Sequence, residues 1–269
     1  MKVIYKIAIL VSLIVFATSC EEVVILNLRT ADPKNVVDAY ITENSPCFVL
    51  LTKSQGFQDN SAYERISDAE IRLTNSKGRT EILQESNYEA GLYYSEMLGE
   101  ANCSYHLEIQ IDDDIYEATA TIPEVVYIDR IYIYEIKAGT KSWYSPAITY
   151  QDPPYTNNYY YAILSVNEKI MRSIYLFDDE HTNGDECDEI LFFNKDDNDE
   201  EDLQTGDIIR VELQNLDIGM YTFYKSLYSV AEGTNAISNF TGGILGCFKA
   251  YNSSISEAIV SQDIVEPDD

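Results

Sequence analysis

Hydrophobic and polar residues alternate along most of the chain, interrupted by short polar turns. From Asn35 the run Val36-Val37-Asp38-Ala39-Tyr40-Ile41-Thr42 leads through Glu43-Asn44-Ser45-Pro46 into Cys47-Phe48-Val49-Leu50-Leu51-Thr52. β-branched and aromatic runs of this length, joined by turn formers, predict a hairpin. The same two-residue period returns in Ala69-Glu70-Ile71-Arg72-Leu73-Thr74, which turns through Asn75-Ser76-Lys77-Gly78, and again in Gly91-Leu92-Tyr93-Tyr94. Residues 104–111 and 115–122 alternate on either side of Asp112-Asp113-Asp114. Roughly seven short strands at such spacing predict an immunoglobulin-like β-sandwich over residues 35–124. The Cys…Trp…Cys signature of antibody domains is missing, so antibody-type kinship is not implied.

Pro123 and Val125-Val126-Tyr127-Ile128-Asp129 mark the passage to a second β-rich domain over residues 125–269. Strands are expected at 130–136, 159–166, 170–177 and 207–213. The apolar Ile190-Leu191-Phe192-Phe193 reads as one buried strand within the acidic stretch 178–202. Residues 141–155 hold Pro146, Pro153 and Pro154 and read as a loop. The period then changes. Met220, Tyr221, Tyr224, Leu227, Tyr228 and Ala231 recur at three and four, predicting one helix near residues 218–231. Asp217 is its expected N-cap and Gly233 its stop. Gly242-Gly243 and Gly246 then permit a turn into a final strand or pair at 247–251. The fold class is therefore mainly β.

The first residues follow another logic. Lys2 and Lys6 precede an apolar run over 7–17 and the small residues Thr18-Ser19 before Cys20. This predicts a secretory signal peptide over residues 1–19, too short in its apolar part to span a bilayer. Ending on cysteine, it resembles a bacterial lipoprotein signal, although Ala17 stands where Leu is commonest. That resemblance implies an acylated Cys20 as the first mature residue, with residues 20–34 as a tether. Two or more acyl chains, at about 0.8 kcal/mol per buried CH₂, make such anchoring stable. The expectation is a lipid-anchored exported protein that touches the membrane through its anchor alone.

Charge narrows the partners. The formal net charge is −28, and about −30 without the two signal-peptide lysines. Such a surface repels nucleic acid and anionic headgroups, which excludes nucleic-acid binding. Hydrophobic content of 45% still supports packed domains. Cys47, Cys103, Cys187 and Cys247 fall two to each half and allow three pairings. Export permits Cys47–Cys103 and Cys187–Cys247 bridges. Four free buried thiols serve equally well as small apolar residues.

Candidate chemistry is sparse. His106 and His181 are the only histidines, and no HExxH, GxSxG or P-loop pattern occurs, so no catalytic set is assigned. The acidic stretches 185–189 and 196–202 lack calcium-loop spacing and read as solvated loops. No metal or cofactor is expected. Trp143, Tyr144, Tyr150 and Tyr155 are the candidate binding aromatics, suited to stacking on a sugar ring or anchoring a protein, or else to closing the end of a core.

Taken in order, the segments resemble a family. They are Cys20, Val36 to Thr42 before Val49-Leu50-Leu51-Thr52-Lys53-Ser54, Asp68-Ala69-Glu70-Ile71-Arg72-Leu73, Tyr105-His106-Leu107-Glu108-Ile109, Thr121-Ile122-Pro123, Asn158-Tyr159-Tyr160 and Ser238-Asn239-Phe240-Thr241-Gly242-Gly243 running on to Tyr251. Together they are similar to a domain-of-unknown-function family of Bacteroidetes outer-membrane lipoproteins encoded near TonB-dependent receptors. Gly246-Cys247-Phe248 departs from the Gly-Ile-Phe of many members. The resemblance implies a non-enzymatic envelope lipoprotein accessory to a TonB-dependent transporter. Glu21-Glu22 beside the anchor is similar to signals for the outer face. A structural adhesin or fimbria-like subunit and a carboxylate-dependent envelope hydrolase are the competing readings.

Overall fold

The structure is a computed structural model that describes residues 32–56, 59–227, 230 and 234–267. Cys20, the signal segment and most of the tether lie outside the described residues. The first half supplies β1 (Asn35–Thr42), β2 (Pro46–Lys53), β3 (Glu70–Asn75), β4 (Thr80–Ile82), β5 (Gln84–Glu85), β6 (Leu92–Leu98), β7 (Cys103–Ile111) and β8 (Asp114–Ile122). The second supplies β9 (Ile128–Ala138), β10 (Lys141–Gln151), β11 (Tyr159–Val166), β12 (Lys169–Ile170), β13 (Tyr175–Asp178), β14 (Glu186–Ile190) and β15 (Ile208–Leu216). Helix α1 (Ile218–Leu227), β16 (Leu245–Ile259) and β17 (Val265–Pro267) complete the order. The mainly β expectation holds, with the helix where the three-four period placed it. Its second half beyond Leu227 and the stop at Gly233 fall largely outside the described residues.

One large sheet runs through both halves in the order β12-β11-β15-β16-β1-β2-β6-β5, with β13 also on β11. The sheet β4-β3-β7-β8 covers its first part, and β14-β10-β9-β17 its second. Strand parity explains the two cores. Val37, Ala39 and Ile41 of β1 enter the first with Leu73, Tyr105 and Leu107, all buried. Tyr160, Ala162 and Leu164 of β11 enter the second with Val211, Leu213, Ile148 and Tyr150.

The expected boundary at 124 is corrected by β16. Its first residues pair in parallel with β1, Val36 opposite Leu245 through Thr42 opposite Tyr251, and its remainder pairs antiparallel with β15. Phe240, Ile244, Phe248 and Ala250 therefore belong to the first core, although they lie near the end of the sequence. Between the cores the inward positions of β16 turn polar. Asn252 donates to Glu43 and to the Pro123 carbonyl, and Ser254 donates to the Val126 carbonyl at 2.7 Å. These bonds tie the crossover 123–126 to the seam. Gly246 allows the parallel contact: its φ is +105°, and a Cβ there would stand 1.8 Å from the Val37 carbonyl oxygen.

Two further expectations change, and one open choice is decided. Residues 141–151 form a strand rather than a loop, because Ser145 to Tyr150 are buried between neighbours on both sides. Pro146 has no N–H to give but its carbonyl accepts from Leu191 N at 2.8 Å. The run at 190–193 does not continue as a strand: β14 ends at Ile190, Leu191 is buried and Phe192 is exposed. Finally, of the two readings of the cysteines the structure takes the second: the bridges Cys47–Cys103 and Cys187–Cys247 are not formed, and all four are separate buried thiols. Burial pushes the Cys47 and Cys187 thiols up and that of Cys247 to about 12, which keeps them unreactive. Denatured without reductant, the mature protein should titrate all four with a thiol reagent, and reductant should leave its Tm unchanged. A titre of two or fewer would contradict this.

Candidate functional site

The four candidate aromatics do not form one cluster. Tyr150 is 1% exposed in the second core, its ring 4.8 Å from that of Tyr160, and burial drives its hydroxyl pKa far up. Tyr155 stands alone at 97% exposure, its backbone N–H bonded to Asn183 Oδ1 at 3.0 Å. Tyr150 is thus corrected to a core residue, and Tyr155 to a solvated tip. Trp143 and Tyr144 remain together on the exposed start of β10.

These two wall a cleft of about 660 Å³ whose other side is the segment 193–204. A volume of that size lies within the range of small-molecule sites, roughly 300–1,000 Å³. The opposite wall is built locally. Asn194 caps the 3-10 turn Lys195–Asp197 through a bond from Asp196 N at 3.1 Å. Buried Asp197 accepts from Arg172 Nε at 2.7 Å and from its backbone N–H at 3.1 Å. Burial pushes the Asp197 carboxyl up, but these bonds outweigh it and hold the group below the usual range. Phe193 N donates to Ser145 Oγ at 3.1 Å and fixes the wall to β10. Lys141, Lys195, Asp202 and Gln204 bring polar groups to the indole and phenol. Among the described residues Lys141 and Lys195 form no ion pair, unlike most lysines and arginines there. The cleft thus joins an aromatic wall to uncommitted hydrogen-bond donors.

A second hollow of about 640 Å³ lies between β13, β14 and α1. Phe177, Ile190 and Phe192 make its apolar walls, and Glu189 lies among them. Burial, then the Asp188 and Asp178 carboxylates, raise Glu189 to about 7. Asp188 accepts from Tyr132 at 2.8 Å and Asp178 from Tyr221 at 2.7 Å, so both neighbours are held in place.

A third, smaller hollow of about 210 Å³ opens on the outer face of the large sheet beside α1. Asp217 starts the helix as expected, accepting from Gly219 N at 2.7 Å, and its other oxygen takes Thr121 N at 3.0 Å. That places Tyr224 against Tyr161 of β11, ring centroids 5.0 Å apart. Tyr40 and Tyr251 line the same hollow, with Gln214 of β15. Gln214 is 5% exposed, and its Oε1 accepts no hydrogen bond among the described residues. Leaving such a group unpaired costs about 1–3 kcal/mol. Sequence reasoning missed this set. Tyr40, Tyr161 and Tyr251 are each out of phase with their strand's buried residues, a signal for an outward face, but nothing local says which strands are neighbours.

The histidines lie apart from these sites: His106 on β7 contacts Thr119 Oγ1 at 3.1 Å, and His181 is exposed in the second half. Among the described residues no group of three His, Cys, Asp or Glu is arranged to hold a metal ion, and no helix is long and apolar enough to cross a membrane.

A family model described as a domain of unknown function, DUF4249, matches residues 21–256. Nothing among the curated proteins matches the chain. A crystal structure of a DUF4785 family protein from Legionella pneumophila is similar at a TM-score of 0.28 and 9% identity, over 68% of this chain and 52% of that one. The chain spans about half the length of that protein, and a likeness this weak carries no argument.

Proposed function

This chain belongs to the DUF4249 family, a domain of unknown function, and on that premise we propose that it is a non-enzymatic, lipid-anchored envelope protein. In this reading it captures a ligand for a TonB-dependent outer-membrane transporter and helps to pass it on. The observation that carries the reading is the Trp143 cleft. Its aromatic wall and free polar groups suit reversible capture, and it lies in a body built from rigid sheets. The leader ending on Cys20 supports the anchor, and the net charge of −28 supports a body held off anionic headgroups.

The test uses the acylated protein solubilised from its own membranes. A TonB-dependent transporter should co-purify with it, and Cys20→Ser should release the protein from the membrane fraction. Trp143 is the only tryptophan, so its emission reports on this cleft alone. Adding the substrate carried by the co-purified transporter should shift that emission. Unchanged membrane partition in the serine variant, or a polymer ladder in place of a transporter, would sink the reading.

The hydrolase alternative gains one observation. A carboxyl raised to about 7 in an apolar-walled hollow is the state a general acid needs. Turnover of a glycosidic or ester substrate that stops in Glu189→Gln would favour it.

A further inference from the structure

We infer that the hollow on the outer face of the large sheet is a second ligand site, which takes one ring of a neutral carbohydrate. One buried acceptor without a donor and three hydroxyls of half-buried tyrosines without a described protein partner converge there. Gln214 Nε2 donates to Glu212 Oε1 at 2.8 Å, while its own Oε1 is left without a donor. The hydroxyls of Tyr40, Tyr224 and Tyr251 bond no described protein group. Several buried tyrosines elsewhere differ: Tyr93, Tyr105, Tyr132, Tyr175 and Tyr221 each bond the protein through their hydroxyls. Asn215 Oδ1 is the other buried acceptor without a donor among the described residues, and it does not line this hollow.

Its shape and charge select the ligand. Phenol rings from three strands and a helix offer apolar faces, so the occupant needs an apolar face of its own. The unmet acceptor and hydroxyls call for a rim of hydroxyl groups. A sugar ring combines the two. At the edge, Lys249 pairs with Asp38, giving an ammonium and a carboxylate that can each bond neighbouring hydroxyls. The Lys249 ammonium already stands 6.0 Å from the Tyr40 ring centre, which disfavours a cationic guest. A quaternary ammonium also carries no N–H or O–H for Gln214. Anions meet Asp38, Glu212 and the chain's net charge of −28. About 210 Å³ is below the range of drug-sized sites and admits a single ring.

The experiment is saturation-transfer NMR on the mature chain with glucose, galactose, mannose and N-acetylglucosamine, and with choline chloride as the cationic probe. At least one sugar should show transfer, and choline none. Gln214→Met keeps the side-chain length and removes the orphaned acceptor. It should lower that sugar's affinity about tenfold or more while leaving the urea midpoint unchanged or higher. Tyr224→Phe, which retains the ring, should weaken binding with the fold intact. Sugar binding here should leave Trp143 emission unshifted, which separates this site from the cleft. No transfer from any of the four sugars, transfer from choline alone, or full affinity in Gln214→Met would overturn the inference.

Discussion

Gly246→Ala is expected to cost about 3–5 kcal/mol, since its Cβ would make the closest approach among the glycines compared. Two causes act together. The residue holds φ at +105°, a conformation that side chains with a Cβ rarely adopt. The added carbon would also lie 1.8 Å from the Val37 carbonyl oxygen and 2.8 Å from the carbonyl carbon, both backbone atoms that cannot rotate aside. Relief requires β16 to move off β1. That would draw Phe248 and Ala250 out of the first core and disturb the parallel register over seven residue pairs. Urea unfolding of the two proteins measures the difference. Gly78→Ala is the control, since its Cβ would meet nothing within 4 Å although its φ is also positive. Equal midpoints for the 246 and 78 variants would show that the close approach does not matter.

Glu189→Gln should stabilise the protein, and only above mildly acidic pH. The Glu189 carboxyl lies in the hollow beside Phe177 and Phe192, where burial and then Asp188 and Asp178 raise it to about 7. Folding therefore strengthens its hold on a proton. Its favourable contribution is complete below the unfolded value of 4.5 and is lost as pH climbs through about 7. The full shift would correspond to about 3.4 kcal/mol. The group is partly open to solvent, and screening reduces this to about 1–2 kcal/mol. Glutamine keeps the shape and never ionises. At about pH 8 the variant should exceed the parent by that amount, and near pH 4 the two should converge. Urea midpoints across this range check the sign. A gain independent of pH would mean that the charge is not its source.

Both effects depend on features with very different visibility in the sequence. Strand parity was legible wherever β-branched residues alternate with charge, as in Glu70-Ile71-Arg72-Leu73, because one buried face imposes the period. The helix start was legible for the same reason: Asp217 and the spacing of Met220, Tyr221 and Tyr224 are local properties. β10 was hidden by its proline and by burial along Ser145 to Tyr150, which removes the alternation. This also explains why Tyr150 looked like a partner of Trp143 when it belongs to the core. The tyrosine-lined hollow was out of reach for another reason. Tyr40, Tyr161 and Tyr251 meet only because β16 lies between β1 and β15, and long-range pairing leaves no local trace. The Trp143 cleft was half visible. Its aromatic wall stood out, while the wall built on Asp197 and Arg172 read only as an acidic loop.

The parallel pairing of β1 with β16 bears on how the body resists load. A pull delivered to the leading end of β1, along the strand, meets its bonds to β16 and to β2 side by side, so that they resist in shear rather than opening one after another. The same fifteen-residue strand continues into the far module, which spreads that tension across the whole sheet. Traction at the entry point is thus carried through one continuous sheet to the strands that bear the clefts.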